Sequence, residues 1–459
     1  MRYDYVVIGS GVAGYPAAVL LAREGHKVAV IEENLIGGEC TNYGCVPSKS
    51  LYLLAEAYRS LKKVNAEIRT DWKEISKFVK EVVDESRKGI EYLLNKHDIE
   101  IINSKGRLIS PKQVKTNEGI IEAKKIILAL GTDPKPLPGI CFNKDILSNR
   151  EIFYIDEKPR QLLVIGGGVI GVEVSNIFAQ LGTEVVLVEA MEHILPFLDK
   201  DVALTMRRFL KENGVQIRER VIVKDIKKKD EKLVVRLSNN EILTVDKVLV
   251  SIGRIPKTNE IGLENASIEV DQFGFIKVDK LYRTTNTDIY AVGDVVGGPL
   301  LAHKAMLESI AAYRNIVGKE PITLNYKLVP QTIFSGLEIS WIGYTEKELK
   351  SKGINYKKIK LPISYLSAVR IKDNRYSYVK ILLSEEKQQI LGIHIISPSA
   401  SEVISSFLPF VIEKIDFKKI AETPYPHLTV SEMVREIAEY IIGEPIHTVV
   451  KRMKNVRNQ

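Results

Sequence analysis

A strand, a glycine-rich turn, a helix and a second strand follow one another near the start of the chain, and this order constrains the fold more than any other feature. The apolar run 5–8 predicts a buried strand, and Gly9, Gly11 and Gly14 come directly after it. An Ala- and Leu-rich segment then predicts a helix, and the next apolar run ends at Glu32. Strands that alternate with helices in this way indicate a βαβ unit with a parallel sheet.

The same order of elements occurs a second time, beginning at Leu162. Gly166, Gly168 and Gly171 follow a short apolar run, and a helical segment then leads to a strand that ends at Glu189. In both copies the acid lies 18 residues beyond the third glycine. The first half of the chain is therefore predicted to contain one supersecondary unit twice.

The chemistry of this unit is specific. One Gly-x-Gly-x-x-Gly motif is a weak indicator, but it becomes strong between a strand and a helix, with an acid at the end of the next strand. The first glycine permits a tight turn, the second lets the backbone approach a pyrophosphate, and the third lets the helix pack on the strand. The carboxylate then binds ribose hydroxyls. We expect two Rossmann-like dinucleotide-binding domains; the alternative is two glycine-rich turns without a ligand.

The residues after the second acid indicate which nicotinamide dinucleotide is bound. A carboxylate at Glu189 would repel a 2′-phosphate, and residues 190–193 contain no arginine that would attract one. NAD is therefore expected rather than NADP.

Two of the three cysteines, Cys40 and Cys45, lie just after the first copy. Five residues of ideal helix rise about 7.5 Å, whereas bridged Cα atoms usually lie about 4.4–6.8 Å apart. A bridge would need a distorted turn, which Gly44 permits. Pro47 suits the first turn of a following helix, whose positive end would lower the pKa of the Cys45 thiol, and Lys49 adds a positive charge.

A redox pair is the favoured interpretation of these cysteines. Two buried cysteines or half of a zinc site are the alternatives. Zinc would need further ligands at short spacings, and Cys141 is the only other cysteine. No metal site is expected.

Residues 37–49 follow the pattern Gly-Gly-x-Cys-x4-Cys-x-Pro-Ser-Lys. This pattern resembles the active-site signature of the flavin-dependent pyridine nucleotide–disulfide oxidoreductases, and the likeness extends from Tyr5 to about Glu444. The resemblance implies FAD on the first repeat, NAD on the second, a Cys40–Cys45 redox disulfide and a homodimer. Glu39 and Tyr43 depart from the Thr and the small or apolar residue that are usual beside the cysteines.

The resemblance also assigns roles to single residues beside the flavin. It implies an ion pair between Lys49 and Glu173 at the flavin ring. Asp294, which ends a strand, would contact the ribityl chain. Further contacts with the cofactors would come from residues in family-like turns and at the start of a helix, namely Gly106, Gly131, Gly253, Leu301, Ala302 and His303.

A histidine near the end of the chain completes the implied site. His427 precedes Glu432 by five residues, which is the family's register. A glutamate that accepts an imidazole N–H fixes the tautomer and raises the basicity of the other nitrogen. In the family this histidine is the acid–base group and reaches the disulfide of the other subunit. A proline usually follows it, whereas here Leu428 follows and Pro426 precedes.

We therefore expect an α/β fold of four parts. These are an FAD-binding domain (1–145), an NAD-binding domain (146–262), a central segment that completes the FAD site (263–324) and a C-terminal α+β dimerisation domain (325–459). A linker is expected over 139–150. A long amphipathic helix is expected over 73–95, and C-terminal helices over 401–413 and 431–440.

The expected activity is electron transfer between a dihydrolipoyl dithiol and NAD, as the resemblance implies. Its partner would be the lipoyl-bearing protein of a 2-oxo-acid dehydrogenase or glycine-cleavage system. The alternatives are an NADH-dependent reductase of a quinone or another disulfide, and a non-catalytic nucleotide-binding scaffold of a multienzyme complex. The net charge is +8, but acids are interspersed with the bases, so no nucleic-acid partner is expected. The first apolar run begins at Tyr5 and none approaches the ~18 residues of a membrane span, so a cytoplasmic location is expected.

Overall fold

The computed structural model describes residues 1–66, 71–372, 375–385 and 389–448. The chain divides into two compact units. The first consists of Met1–Ile194 and Asn213–Tyr326, and the second of Leu195–Glu212 and Lys327–Gln459. Among the residues that the structure describes, no helix is long and apolar enough to cross a membrane.

The strands of the first unit are β1 (Arg2–Ile8), β2 (Val28–Glu32), β3 (Glu100–Asn103), β4 (Arg107–Ser110), β5 (Gln113–Thr116), β6 (Gly119–Leu128), β7 (Thr132–Pro134), β8 (Ile146–Leu147), β9 (Gln161–Ile165), β10 (Glu184–Glu189), β11 (Gln216–Glu219), β12 (Val223–Lys229), β13 (Lys232–Leu237), β14 (Ile242–Val245), β15 (Lys247–Val250), β16 (Arg254–Pro256) and β17 (Ile289–Ala291). Those of the second unit are β18 (Gln331–Ile333), β19 (Ile339–Gly343), β20 (Tyr356–Pro362), β21 (Tyr378–Ser384) and β22 (Ile390–Ile396).

The helices, in chain order, are α1 (Tyr15–Arg23), α2 (Gly38–Asn42), α3 (Cys45–Lys62), α4 (Trp72–Lys96), α5 (Val169–Gln180), α6 (Lys200–Glu212), α7 (Ala302–Ile316), α8 (Glu346–Ser351), α9 (Ser367–Ile371), α10 (Ala400–Ile412), α11 (Phe417–Ala421) and α12 (Met433–Ile442). Of these, α6 and α8–α12 belong to the second unit.

The sequence repeat is also a repeat of topology. The first sheet has the order β3-β2-β1-β6-β5-β4, and β17 also pairs with β6. The second has the order β11-β10-β9-β15-β8. In each sheet the strand before the glycine turn, β1 or β9, pairs in parallel on both sides. The order of strands reverses there, which is where open α/β sheets bind ligands.

Two chain segments connect the two repeats and pair with each other. The outgoing β7 and the returning β16 form an antiparallel ribbon, which we call the connecting ribbon. The expected linker is wrong in one respect, because β8 lies inside it and pairs with β15 as the edge strand of the second sheet. Two residues are too short for periodicity to reveal a strand.

The second unit is built on the antiparallel sheet β18-β19-β22-β21-β20. Its apolar side chains form one core with those of the helices, including Phe407 of α10 and Met433 of α12. The expected helix over 431–440 begins later than predicted, because Val430–Glu432 forms a single 3₁₀ turn before α12. The α/β fold with two Rossmann-like repeats and a C-terminal α+β part is confirmed. The four domain boundaries stay a prediction, and residues 449–459 of the last domain lie outside the described residues.

Candidate active site

The two cysteines meet where two helices join. Cys40 lies in the short helix α2 and Cys45 is the first residue of α3, with Gly44 between them. Both are free thiols. A hydrogen bond to Cys45, together with burial, raises the pKa of Cys40 above its usual range. The same bond lowers the pKa of Cys45, and the charge of Lys49 lowers it further.

This asymmetry makes Cys45 the more acidic thiol of the pair. It stands at the positive end of an 18-residue helix, which also favours a thiolate. The predicted proximity of the cysteines is therefore present in the dithiol form. Their pairing as a disulfide stays a prediction.

The predicted ion pair is also present. Lys49 lies one turn after Cys45 on α3, and its Nζ is 2.7 Å from Glu173 Oε2. Glu173 is buried on α5, which packs against α3. The ion pair thus connects the cysteine helix to the helix of the second glycine turn.

In the first glycine turn, the protein itself requires two of the three glycines. A Cβ on Gly14 would lie 1.8 Å from the carbonyl oxygen of Gly9, and one on Gly9 would lie 2.3 Å from that of Ala129. A Cβ on Gly11 would meet nothing closer than 3.7 Å. Packing therefore does not explain the second glycine, whereas the close approach of a pyrophosphate does. Glu32 ends β2 with its carboxylate at this turn.

The second turn repeats this arrangement. A Cβ on Gly171 would lie 1.9 Å from the carbonyl oxygen of Gly166, whereas one on Gly168 would meet nothing within 4 Å. The backbone N–H of Gly167 donates to Glu189 Oε2 at 2.6 Å. Both turns fit a dinucleotide by the same observation, which is that only the middle glycine of each motif could carry a Cβ without a clash inside the protein.

Asp294 does not end its strand, as was predicted, but follows β17 in a 3₁₀ turn, Gly293–Val296, because the chain turns at Gly293. Burial raises the pKa of Asp294, and the hydroxyl of Thr132 donates to its Oδ2 at 3.3 Å. The turn is held by Lys304, which is fully buried and donates to the carbonyl oxygens of Gly293 (3.1 Å) and Gly297 (2.7 Å).

Sequence reasoning missed the part played by Lys304. It is the last residue of the segment 301–304, which was predicted to open a helix and does open α7, but no role was predicted for Lys304 itself. Its Nζ also pairs with Glu308 at 3.2 Å, and Glu308 accepts the N–H of Gly293 at 2.8 Å. The spacing of Lys304 and Glu308, four residues apart on a helix, was the available signal.

The remaining predicted glycines have separate places. Gly106 packs against the side chains of Ile8, Ile31 and Val114, where a Cβ would lie 3.3–3.4 Å from methyl groups. Gly131 and Gly253 lie just before the two strands of the connecting ribbon and accept backbone hydrogen bonds from the segments after it. Their contacts with a cofactor stay predictions.

His427 and Glu432 are hydrogen-bonded to each other in the second unit. The distance from His427 Nδ1 to Glu432 Oε1 is 2.9 Å, and the histidine side chain is 77% exposed. Glu432 Oε2 also accepts the backbone N–H of Thr429 at 3.2 Å. Glu432 was predicted to lie in an α-helix, whereas it is the last residue of the 3₁₀ turn. The predicted pairing with His427 is present. His427 therefore keeps Nε2 available for proton transfer.

A dithiol at a helix N-terminus, together with two dinucleotide-binding turns on one chain, is typical of flavoprotein disulfide oxidoreductases. Sequence profiles identify the family. The profile described as pyridine nucleotide-disulphide oxidoreductase matches residues 3–309, and that of the family's dimerisation domain matches residues 329–438. The chain belongs to this family and is a flavoprotein disulfide oxidoreductase whose cofactors are FAD and NAD(H).

Individual relatives are similar over almost the whole chain. A dihydrolipoyl dehydrogenase from Thermus scotoductus is 34% identical, over 97% of this chain and 98% of its own. Among solved structures, LpdA from Mycobacterium tuberculosis has a TM-score of 0.89 at 26% identity, covering 95% of this chain and 99% of its own. The HOCl-induced flavoprotein disulfide reductase RclA from Escherichia coli has a TM-score of 0.88 at 26% identity, covering 96% and 100%.

Proposed function

We propose that the protein oxidises a dihydrolipoyl dithiol with NAD and uses Cys40 and Cys45 as the exchange pair. The observation that carries the proposal is the hydrogen-bonded dithiol at the start of α3, beside Lys49 and Glu173. The near full-length similarity to a dihydrolipoyl dehydrogenase supports the choice of substrate. The partner would be a lipoyl-bearing protein of a 2-oxo-acid dehydrogenase or glycine-cleavage system.

The chain's own residues account for the thiol chemistry. His427 takes a proton from one substrate thiol, and Glu432 holds the imidazolium that results. The substrate thiolate attacks Cys40 in the Cys40–Cys45 disulfide and releases Cys45 as a thiolate. The second substrate thiol then gives up its proton and displaces Cys40, whose departing sulfur takes up a proton from the His427 imidazolium. The substrate thus becomes a disulfide, and the cysteines take up its two electrons.

Other residues would hold the cofactors. Gly11, Glu32 and Asp294 would bind FAD, and Gly168 and Glu189 would bind NAD. Bound FAD would supply a two-electron acceptor for the cysteine pair, and NAD the final hydride acceptor. Lys49 stabilises the thiolate in the meantime.

The C-terminal part matches the dimerisation domain of the family, and this match supports a homodimer. We propose that His427 of one subunit serves the cysteines of the other. Its exposure in the single chain agrees with such a role.

Cys45→Ser tests the proposal. We expect it to lose at least about 1,000-fold in NADH-dependent lipoamide reduction, because no thiolate can form at this position. Bound flavin, measured by absorbance, should remain. The matched control is Cys141→Ser, which changes an exposed cysteine outside the site and should keep full activity.

The same assay should include glutathione disulfide and a quinone. Turnover that is specific for lipoamide supports the substrate, whereas a preference for another disulfide, as the structural similarity to RclA allows, would contradict it. Wild-type rates in the Cys45→Ser variant would contradict the exchange mechanism. A protein that binds flavin but reduces no acceptor would be a scaffold.

A further inference from the structure

The residue before the first cysteine, Glu39, has an unusual set of partners. Its Oε2 accepts hydrogen bonds from Arg150 Nε (3.0 Å) and Nη2 (2.8 Å). Its Oε1 accepts one from Asn149 Nδ2 (2.7 Å) and lies 2.9 Å from Arg254 Nη2. Burial would raise the pKa of Glu39, but Arg254 and Arg150 outweigh it, so the pKa is below its usual range. A charged carboxylate with two guanidinium partners is a strong and directional contact.

These partners come from both chain segments that connect the two repeats. Asn149 and Arg150 follow β8 on the way into the second repeat, and Arg254 lies in the returning strand β16. Arg254 also donates to the side chain of Thr132 (2.6 Å) and to its carbonyl oxygen (2.8 Å) in β7. One carboxylate on α2 therefore binds the outgoing and the returning chain together.

The segment after β8 also holds the C-terminal end of α2. Asn149 Nδ2 donates to the backbone carbonyl oxygen of Tyr43 at 3.2 Å. The hydroxyl of Tyr154 donates to the backbone carbonyl oxygen of Asn42. The guanidinium of Arg150 lies 5.7 Å from the centre of the Tyr43 ring. The helix that carries Cys40 is thus attached at both ends, whereas Cys45 is fixed separately by the long helix α3.

We propose that Glu39 is a positioning residue, which holds Cys40 against Cys45 by tying α2 to the connecting ribbon and to Asn149 and Arg150, which follow β8. A five-residue helix has little stability of its own, so its position depends on these contacts. When they are broken, the sulfur of Cys40 is no longer held where it donates to Cys45. The inference depends on the proposed function only in taking these cysteines as the exchange pair.

Alternatively, Glu39 could act on the cysteine pair only through its charge. Three variants separate this electrostatic role from the positioning role. Glu39→Asp keeps the charge but withdraws the carboxylate, Glu39→Gln removes a negative charge, and Arg150→Gln removes a positive charge. If Glu39 positions Cys40, all three raise the apparent pKa of the cysteine pair, because each releases α2. If Glu39 acts only by charge, Glu39→Asp has no effect, Glu39→Gln lowers this pKa and Arg150→Gln raises it.

The measurement is the alkylation rate of the reduced holoenzyme by iodoacetamide as a function of pH, followed by mass spectrometry of the cysteine peptide. The exposed Cys141 is an internal reference in the same sample. We expect the apparent pKa of the pair to rise by about 1, as the loss of a hydrogen bond to a charged sulfur would cause. Lipoamide turnover should fall about 10- to 100-fold, as for other small misplacements of reacting atoms.

Controls keep the outcomes distinct. Glu118→Gln, which removes an exposed carboxylate of the same unit, should change neither measurement. If the Glu39 variants fail to bind flavin, Asn149→Ala decides, because it removes an uncharged side chain that donates to Glu39 and to the carbonyl oxygen of Tyr43. Positioning predicts that this variant also raises the apparent pKa of the cysteine pair, and a charge effect predicts no change. Opposite shifts or no shift would overturn the proposal, whereas a wild-type protein that rejects lipoamide would overturn only the proposed substrate.

Discussion

The two glycine turns have the same backbone arrangement but differ at the residue between the first two glycines. In the first turn this residue is Ser10, whose hydroxyl donates to Glu32 at 2.7 Å and accepts the N–H of Gly37 at 3.1 Å. In the second it is Gly167, where a Cβ would lie 2.8 Å from a methyl carbon of Ile194. A side chain therefore connects the first turn to the cysteine segment, and the second turn has no room for one. Two copies of one motif thus differ in whether they are part of the redox centre.

The largest expected effect is common to both turns. Gly14→Ala and Gly171→Ala each force a Cβ to within 2 Å of a carbonyl oxygen, and we expect a loss of about 3 kcal/mol or more in the free energy of unfolding. Denaturant unfolding of the holoenzyme measures it. The matched control is Gly89→Ala in α4, where nothing lies within 4 Å; it should stabilise by up to about 1 kcal/mol. Equal stability of all three variants would show that packing does not require the third glycines.

The second effect should separate the turns. Gly11→Ala places a methyl group in ordinary van der Waals contact with Gly38, and Gly168→Ala places one in free space. We therefore expect the apoproteins to unfold as the wild type does. Gly11→Ala should weaken flavin binding by at least about tenfold, which corresponds to 1.4 kcal/mol. Gly168→Ala should keep its flavin and raise the KM for NADH by a similar factor. The reverse pattern would exchange the cofactors between the two repeats.

The smallest effect tests the connection through Ser10. Ser10→Ala removes the acceptor of the Gly37 N–H beside the cysteines, so we expect the alkylation rate of the cysteine pair to change about fivefold, the equivalent of 1 kcal/mol. The matched variant is Ser251→Ala, because the hydroxyl of Ser251 donates to the carbonyl oxygens of Ile165 (3.0 Å) and Gly166 (3.1 Å) in the second repeat. It should leave the cysteines unchanged. A response of the thiols to both variants would remove the distinction between the turns.

Patterns of short range predicted most of the fold. The helix expected over 73–95 is α4 (Trp72–Lys96), and the two acids expected at strand ends close β2 and β10. These succeed because the apolar period and the glycine spacing are properties of neighbouring residues. The pairing of Lys49 with Glu173 was also foreseen, but only through the resemblance to a family. Nothing in the sequence near either residue indicates the other.

Charged residues in the core were not foreseen. Lys380 of β21 is fully buried and pairs with Asp199 (2.7 Å), Asp201 (2.8 Å) and Glu346 (3.2 Å), all within the second unit. Burial would raise the pKa of Asp201, but hydrogen bonding to Lys380 brings it down to about 2. An isolated lysine in a strand predicts an exposed side chain, and the carboxylates that reverse this prediction are distant in the sequence.

By itself, the sequence determined that two strand–turn–helix units would form, that each would leave space at its middle glycine, and that two cysteines would meet at a helix start. These features depend on backbone geometry over a few residues. Only the tertiary structure decided the surroundings of the cysteines. Arg150 reaches Glu39 from 111 residues away, and Arg254 reaches it from the returning strand of the ribbon. Such contacts depend on where a sheet ends and a chain returns, and hydrogen bonds between distant residues leave no periodic trace in the sequence.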